Sequence, residues 1–319
     1  MSPILPSHHN ELHSSASTAS PHDDEKARRE QPSVIAPGNL ASRNHLIAML
    51  GEFVGTTMFL LFSLGGTSVA LQAANSVTGK FNDAGASQAN SDNLLYIALV
   101  FGVSLGACVW CFFRVSGGLF NPAVTLAFMA IQGITPVRGV LLIIAQFAGG
   151  LAGAGLADGL TPGPLFAATT LGGGASIVQG LFIEVFMTSM LVFTILMTAV
   201  EKNRATFVAP IAIGMSFFIC EAFSVYYTGG SLNPARSLGP ATVNKSFPGY
   251  FWIYFVGPIL GSLLAVAFYK LLKFLNYQTN LGPDCDDDGH TWHYTNDVRG
   301  RLDRIEGLLA RTAEHRTVV

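Results

Sequence analysis

Ser116-Gly117-Gly118-Leu119-Phe120-Asn121-Pro122-Ala123 recurs further along the chain as Gly229-Gly230-Ser231-Leu232-Asn233-Pro234-Ala235, so that Asn121 and Asn233 lie 112 positions apart. Asn is a favoured helix N-cap and Pro is favoured at the first helical position. Each Asn-Pro-Ala therefore predicts the start of a helix, with a glycine pair supplying the non-helical approach. From Pro122 the first such helix is expected to reach Gln132. At 1.5 Å per residue it would be about 16 Å long, half of a hydrocarbon core about 30 Å thick. A single Asn-Pro is an ordinary turn signal. Two copies with matching glycine approaches mark a repeat.

The repeat extends outward from these boxes. At the same offset Gly102 and Ser104 match Gly214 and Ser216, and Gly149 matches Gly261. A looser Glu-x-x-x-Thr echo joins Glu52 and Thr56 to Glu184 and Thr188. Around the boxes lie six apolar spans, at roughly 46–72, 93–113, 136–157, 177–200, 207–226 and 249–272. Each approaches the length of about 20 residues that a membrane-spanning helix needs. Three spans and one short segment make one copy. Because three is odd, the second copy must lie upside down, which gives an inverted repeat with its axis in the membrane plane. The fold class expected is an all-α membrane protein of six spans and two re-entrant half-helices. Their N-termini would meet at the midplane, each presenting partial positive charge.

Composition agrees. Of 319 residues, 50% are hydrophobic and 12% charged, about half the charged fraction usual in soluble domains. Mean hydropathy is +0.43 even with two polar tails included. A net charge of −2 gives no basic excess for a nucleic-acid partner, and four cysteines are too few for a disulfide scaffold. All eight histidines lie outside Leu46–Leu272. Intramembrane Ser–His hydrolysis and His-ligated metal or haem chemistry are thereby excluded, and no cofactor is expected. Residues 1–42 carry no apolar stretch of signal-peptide type and read as a disordered tail, followed by a membrane domain over 43–275 and a second tail over 276–319. Lys and Arg near the span ends gather on one side (Arg43, Arg114, Arg138, Lys202, Arg204, Lys270, Lys273), against Lys80 and Lys245 on the other. The positive-inside rule then puts both termini in the cytoplasm.

Four ionisable groups fall deep in the apolar spans or the short segments: Glu52, Glu184, Glu221 and Arg236. A charge at the bilayer centre costs about 2.5–3.5 kcal/mol on insertion scales, so each needs a partner or a wet passage. Glu52 and Glu184 hold related positions and are expected to accept from backbone N–H groups of the re-entrant loops, a structural role. Arg236 is expected to be a fixed cationic fork on a pore wall.

These residues resemble the aquaporin (major intrinsic protein) family over about residues 44–273. The resemblance rests on both Asn-Pro-Ala boxes, on Arg236 directly after the second, and on a glutamate near the start of each half. It implies a passive channel rather than an enzyme, embedded in the lipid bilayer and passing water and small neutral solutes. The amides of Asn121 and Asn233 would donate to water, while Pro122, Ala123, Pro234 and Ala235 complete the boxes. Homotetramers in which every subunit has its own pore are implied as well, as is exclusion of protons and cations by an arginine and the half-helix dipoles, the general case for aquaporin-type pores. Counting from the boxes, the filter would be Phe101, Glu221, Gly230 and Arg236. Ser237, Ala241 and Tyr254-Phe255 resemble the water-channel pattern, and Phe101 is the water-channel choice at its position. Glu221 departs from the family, whose water-specific members usually place His there. An ion pair with Arg236 would either plug the pore or alter which neutral solutes pass. The expected activity is a water channel, extended to small neutral solutes such as hydrogen peroxide and seated in the plasma membrane. The alternatives are a glycerol-class facilitator and a largely closed structural membrane protein.

Other signals are weaker. Cys108-x-x-Cys111 reads as packing on an apolar span. Asn244-Lys245-Ser246 is a sequon close to the membrane, and Arg114-Val115-Ser116 is a short basic-directed phosphorylation match. Asp284–His293 lacks a recognised metal spacing and reads as a solvated acidic turn. Val298, Leu302, Ile305 and Leu309 make an apolar stripe that predicts an amphipathic helix over 297–313.

Overall fold

The computed structural model describes residues 40–78, 91–201 and 205–280, together with the isolated positions 302, 305 and 306. Most of the expected N-terminal tail and most of the 297–313 helix lie outside the described residues, and Leu302, Ile305 and Glu306 are helical. Among the described residues up to 280, eight α-helices follow in order: α1 Leu40–Thr78, α2 Ser91–Phe112, α3 Pro122–Ala130, α4 Pro136–Leu160, α5 Ile177–Ile195, α6 Ala209–Thr228, α7 Pro234–Val243 and α8 Ile253–Phe274. A π-turn over Leu196–Val200 extends α5. Among the described residues six stretches are long and apolar enough to cross a membrane: Ser42–Gln72, Ser91–Phe112, Pro136–Leu160, Ile177–Val200, Thr206–Thr228 and Ile253–Phe274. The short α3 and α7 are the half-helices.

Helix α3 stops at Ala130, two residues short of the expected Gln132. Gln132 takes a left-handed φ of 62°, and the N–H groups of Gly133 and Ile134 fold back onto the Phe128 carbonyl. That closure satisfies end carbonyls but prevents further helix. Nine residues make about 14 Å, so the half-membrane reading holds.

The two halves pack through matching positions, with α2 of the first against α6 of the second, while α5 lies against α8 within the second half. A Cβ added to Gly102 would sit 2.7 Å from the Gly214 carbonyl oxygen, and one on Gly214 would sit 2.7 Å from that of Gly102. Only glycine permits backbones this close, a mode of packing that compensates for the absence of a hydrophobic drive between helices in lipid. The half-helices cross over: α7 packs on α4 of the first half, and α3 on α8 of the second. Ser262 of α8 donates to the Ala123 carbonyl at 2.8 Å, and at the related position of α4 Gly150 lies against the Ala235 carbonyl. The outer faces are apolar and exposed, as in Val103, Ile144, Phe186 and Phe268. Such faces belong against lipid or another protein surface.

Candidate functional site

Each re-entrant approach is held by a buried acid. Glu52 accepts from the backbone N–H groups of Leu119 (3.0 Å) and Phe120 (2.7 Å), and from Ser116 Oγ (2.6 Å). Glu184 accepts from the N–H groups of Ser231 (3.1 Å) and Leu232 (2.8 Å). Phe120 and Leu232, 112 positions apart, both adopt left-handed φ, 51° and 53°. Non-glycine residues hold that conformation only where surroundings enforce it, and here the acids do so. Glu52 has one further partner the sequence did not reveal: Gln146 Nε2 donates to it at 2.8 Å and to Thr125 Oγ1 at 2.7 Å. The position related to Gln146 is Pro258, so the second half lacks this link.

Asn121 and Asn233 cap α3 and α7 as the box chemistry requires. Asn121 Oδ1 accepts from the Ala123 N–H at 2.8 Å, and Asn233 Oδ1 accepts from the Ala235 N–H at 2.9 Å. Their amides also reach across. Asn121 Nδ2 donates to the Leu232 carbonyl at 2.7 Å, and Asn233 Nδ2 donates to the Phe120 carbonyl at 2.9 Å. The two half-helix N-termini thus meet. An amide NH₂ carries two hydrogens, so each asparagine retains one beyond this cross-link. Both asparagines line a single cavity of about 190 Å³, bounded on one side by the Gly117-Gly118 loop and otherwise by apolar side chains such as Leu105, Val109, Val124 and Ile213.

The other four candidates lie together. Arg236 is 1% exposed. Its guanidinium donates from Nη1 to the Ala167 carbonyl (2.6 Å) and from Nη2 to the Gly229 carbonyl (3.0 Å), and its Cζ lies 4.9 Å from the Phe101 ring centroid. Gly230 has a left-handed φ of 62° and abuts the Glu221 carboxyl, which fills the space a Cβ at 230 would take. Glu221 is fully buried on α6, and among the described residues neither carboxyl oxygen has a hydrogen-bond or ion-pair partner. The ion pair considered for Glu221 and Arg236 is not formed, because carbonyl oxygens of the two flanking loops hold both terminal nitrogens of the arginine. Phe59 of α1 and Phe217 of α6, which also line the cavity, were missed in the sequence. Phe217 lies one turn before Glu221 and Phe59 two turns after Glu52, a helical spacing that alone does not separate them from other apolar residues of these spans.

A bundle of six spans with two half-helices meeting N-terminus to N-terminus beside an internal cavity defines a membrane channel architecture. The profile of the major intrinsic protein family matches residues 39–269, and the chain belongs to that family. It is 54% identical over 246 residues to aquaporin-7 of Botryotinia fuckeliana, covering 76% of this chain and 53% of that protein. It is 48% identical over 253 residues to aquaporin-1 of Gibberella zeae, covering 79% and 77%. The chain spans about half the length of several curated relatives it matches. Among solved structures, the aquaglyceroporin from Plasmodium falciparum superposes with a TM-score of 0.59 at 23% identity, covering 70% of this chain and 95% of that one, a likeness of fold. The protein is an integral, multi-pass membrane protein of the aquaporin fold.

Proposed function

We propose that the chain is a passive water channel, extended to small neutral solutes such as hydrogen peroxide, whose single-file path runs past Phe101, Glu221, Gly230 and Arg236 to Asn121 and Asn233. The observation that carries this reading is the cavity shared by the two asparagines. Each has one amide hydrogen committed across the half-helix junction and one left for a passing oxygen. Water crossing there exchanges bulk hydrogen bonds for fixed donors while apolar walls prevent branching. Arg236, locked to two carbonyls, supplies a fixed positive charge that repels cations and protons. The glycerol alternative draws on Gly230, which lacks a side chain; Glu221 fills that corner and disfavours it.

The apolar outer faces suit a homotetramer in which every subunit conducts. The bias of Lys and Arg supports a reading in which both tails are cytoplasmic and the membrane is the plasma membrane. Stopped-flow light scattering on proteoliposomes tests the function. Rapid shrinkage in an impermeant osmolyte is expected, without re-swelling in glycerol. Re-swelling would make it a facilitator, and a rate equal to empty vesicles would make it a closed structural protein.

A further inference from the structure

Three phenylalanines from three helices converge between the arginine and the asparagine cavity. The rings of Phe59, Phe101 and Phe217 are mutually edge-on, with centroids 6.4 Å (Phe59–Phe101), 5.9 Å (Phe59–Phe217) and 5.9 Å (Phe101–Phe217) apart. All three are at most 1% exposed. Phe101 lies under the Arg236 guanidinium on one side. On the other, Phe59 and Phe217 line the cavity of Asn121 and Asn233, whose walls include neither Arg236, Glu221 nor Gly230. Two of the three rings thus line the asparagine cavity, while the third lies against the arginine.

We propose that Phe59, Phe101 and Phe217 form an apolar constriction in series with the polar filter, and that this ring sets the rate of water passage. The proposal rests on the water-channel reading. A water molecule at Arg236 can exchange hydrogen bonds with fixed polar groups; between three rings it finds no strong donor or acceptor. Constrictions of this kind control flux by dewetting, so rate depends steeply on the apolar volume in the gap. Phe217 is the most informative of the three. It has no contact with Arg236 of the kind Phe101 makes, and it sits one helical turn from Glu221 on the same face of α6.

The test measures water permeability per incorporated protein in proteoliposomes for wild type, Phe217→Val, Phe217→Leu and Phe223→Val. Phe223 is exposed on the same helix and serves as the control. Phe217→Val is expected to raise water permeability at least about threefold, with Phe217→Leu in between and Phe223→Val unchanged. Glycerol should stay excluded, because the polar filter is intact. A silent wild type with a conducting Phe217→Val would also support the ring, as a full closure. If wild type conducts and both Phe217 variants equal it or fall below it, the rings are packing only and the water-channel reading stands. If no variant exceeds empty vesicles, both proposals fail. Should Phe217→Val not assemble, Phe217→Leu and Phe59→Leu decide by the same criterion.

Discussion

The carboxyl of Glu221 occupies the space that a side chain at position 230 would have to enter. Glu221 sits on α6 and Gly230 on the loop approaching α7, so two elements share one buried corner. The glycine is required there twice over, by its left-handed φ and by its neighbour. The glutamate fits only because nothing projects from 230.

This coupling makes a mutational prediction. Gly230→Cys alone should displace Glu221 and carry a left-handed backbone cost of about 1–2 kcal/mol, with reduced water flux. Adding Glu221→Ala frees the corner, so the double variant should recover flux and become sensitive to mercury at the introduced thiol. The change at 221 and the change at 230 should be strongly non-additive. A double variant no better than Gly230→Cys alone, or one that conducts yet ignores mercury, would place position 230 outside the passage.

The two structural acids should differ in how much they stabilise. Glu52 serves Ser116, Leu119, Phe120 and Gln146, whereas Glu184 serves Ser231, Leu232 and the Thr228 side chain, with Pro258 where a counterpart of Gln146 would stand. Each buried donor left without its acceptor costs about 1–3 kcal/mol. Glu52→Ala should therefore lower the melting temperature in detergent more than Glu184→Ala. Equal shifts would mean that Gln146 and Ser116 find other partners when Glu52 is lost.

The half-helices were legible in the sequence because their chemistry is local and occurs twice. Asn caps and Pro starts a helix wherever they stand, and the 112-residue offset from Asn121 to Asn233 tied the copies together. The partners of Glu52 and Glu184 followed from need, since buried acids beside unpaired N–H groups have few alternatives. Gln146 was not legible, because a lone Gln in an apolar helix has no preferred partner until the packing of α4 is known. Phe59 and Phe217 were hidden among 23 phenylalanines. An aromatic ring that narrows a passage and one that faces lipid satisfy the same hydropathy pattern. The missing Glu221–Arg236 pair failed for a related reason: opposite charges suggested contact, but only the loops carrying Ala167 and Gly229 could show the guanidinium already engaged.

At the end of α5, Glu201 accepts from the Tyr269 hydroxyl and lies 3.0 Å from Lys273 Nζ. Partial burial would raise its pKa, but the hydrogen bonds from Tyr269 and Lys273 and the lysine charge together hold it below the usual carboxylate value. A depressed folded-state pKa contributes stability above the unfolded value of about 4.3, and that stability is lost as pH falls through the lower folded value. With Lys273 well exposed, the contribution should be about 1 kcal/mol or less. Glu201→Gln should therefore melt slightly below wild type at pH 7, and the gap should close as pH falls below about 4. A gap that persists unchanged to low pH would show that the charge of Glu201 is not what matters.

Arg236→Lys tests whether the arginine acts as a brace as well as a charge. The guanidinium bonds two carbonyls from separate segments, Ala167 before α5 and Gly229 before α7, while lying over Phe101. A lysine keeps the charge, but its single ammonium cannot reproduce the planar fork. One nitrogen cannot stand where both Nη1 and Nη2 stand, so one carbonyl should lose its donor, at about 1–3 kcal/mol, and the more distant Ala167 segment should be the one released. Three outcomes are expected together: a lower melting temperature, faster proteolysis between residues 161 and 175, and measurable glycerol re-swelling through a filter no longer held at fixed width. Charge alone would predict none of these. If Arg236→Lys melts, resists protease and excludes glycerol as wild type does, the two carbonyl contacts are incidental and the positive charge is the whole of the arginine's contribution.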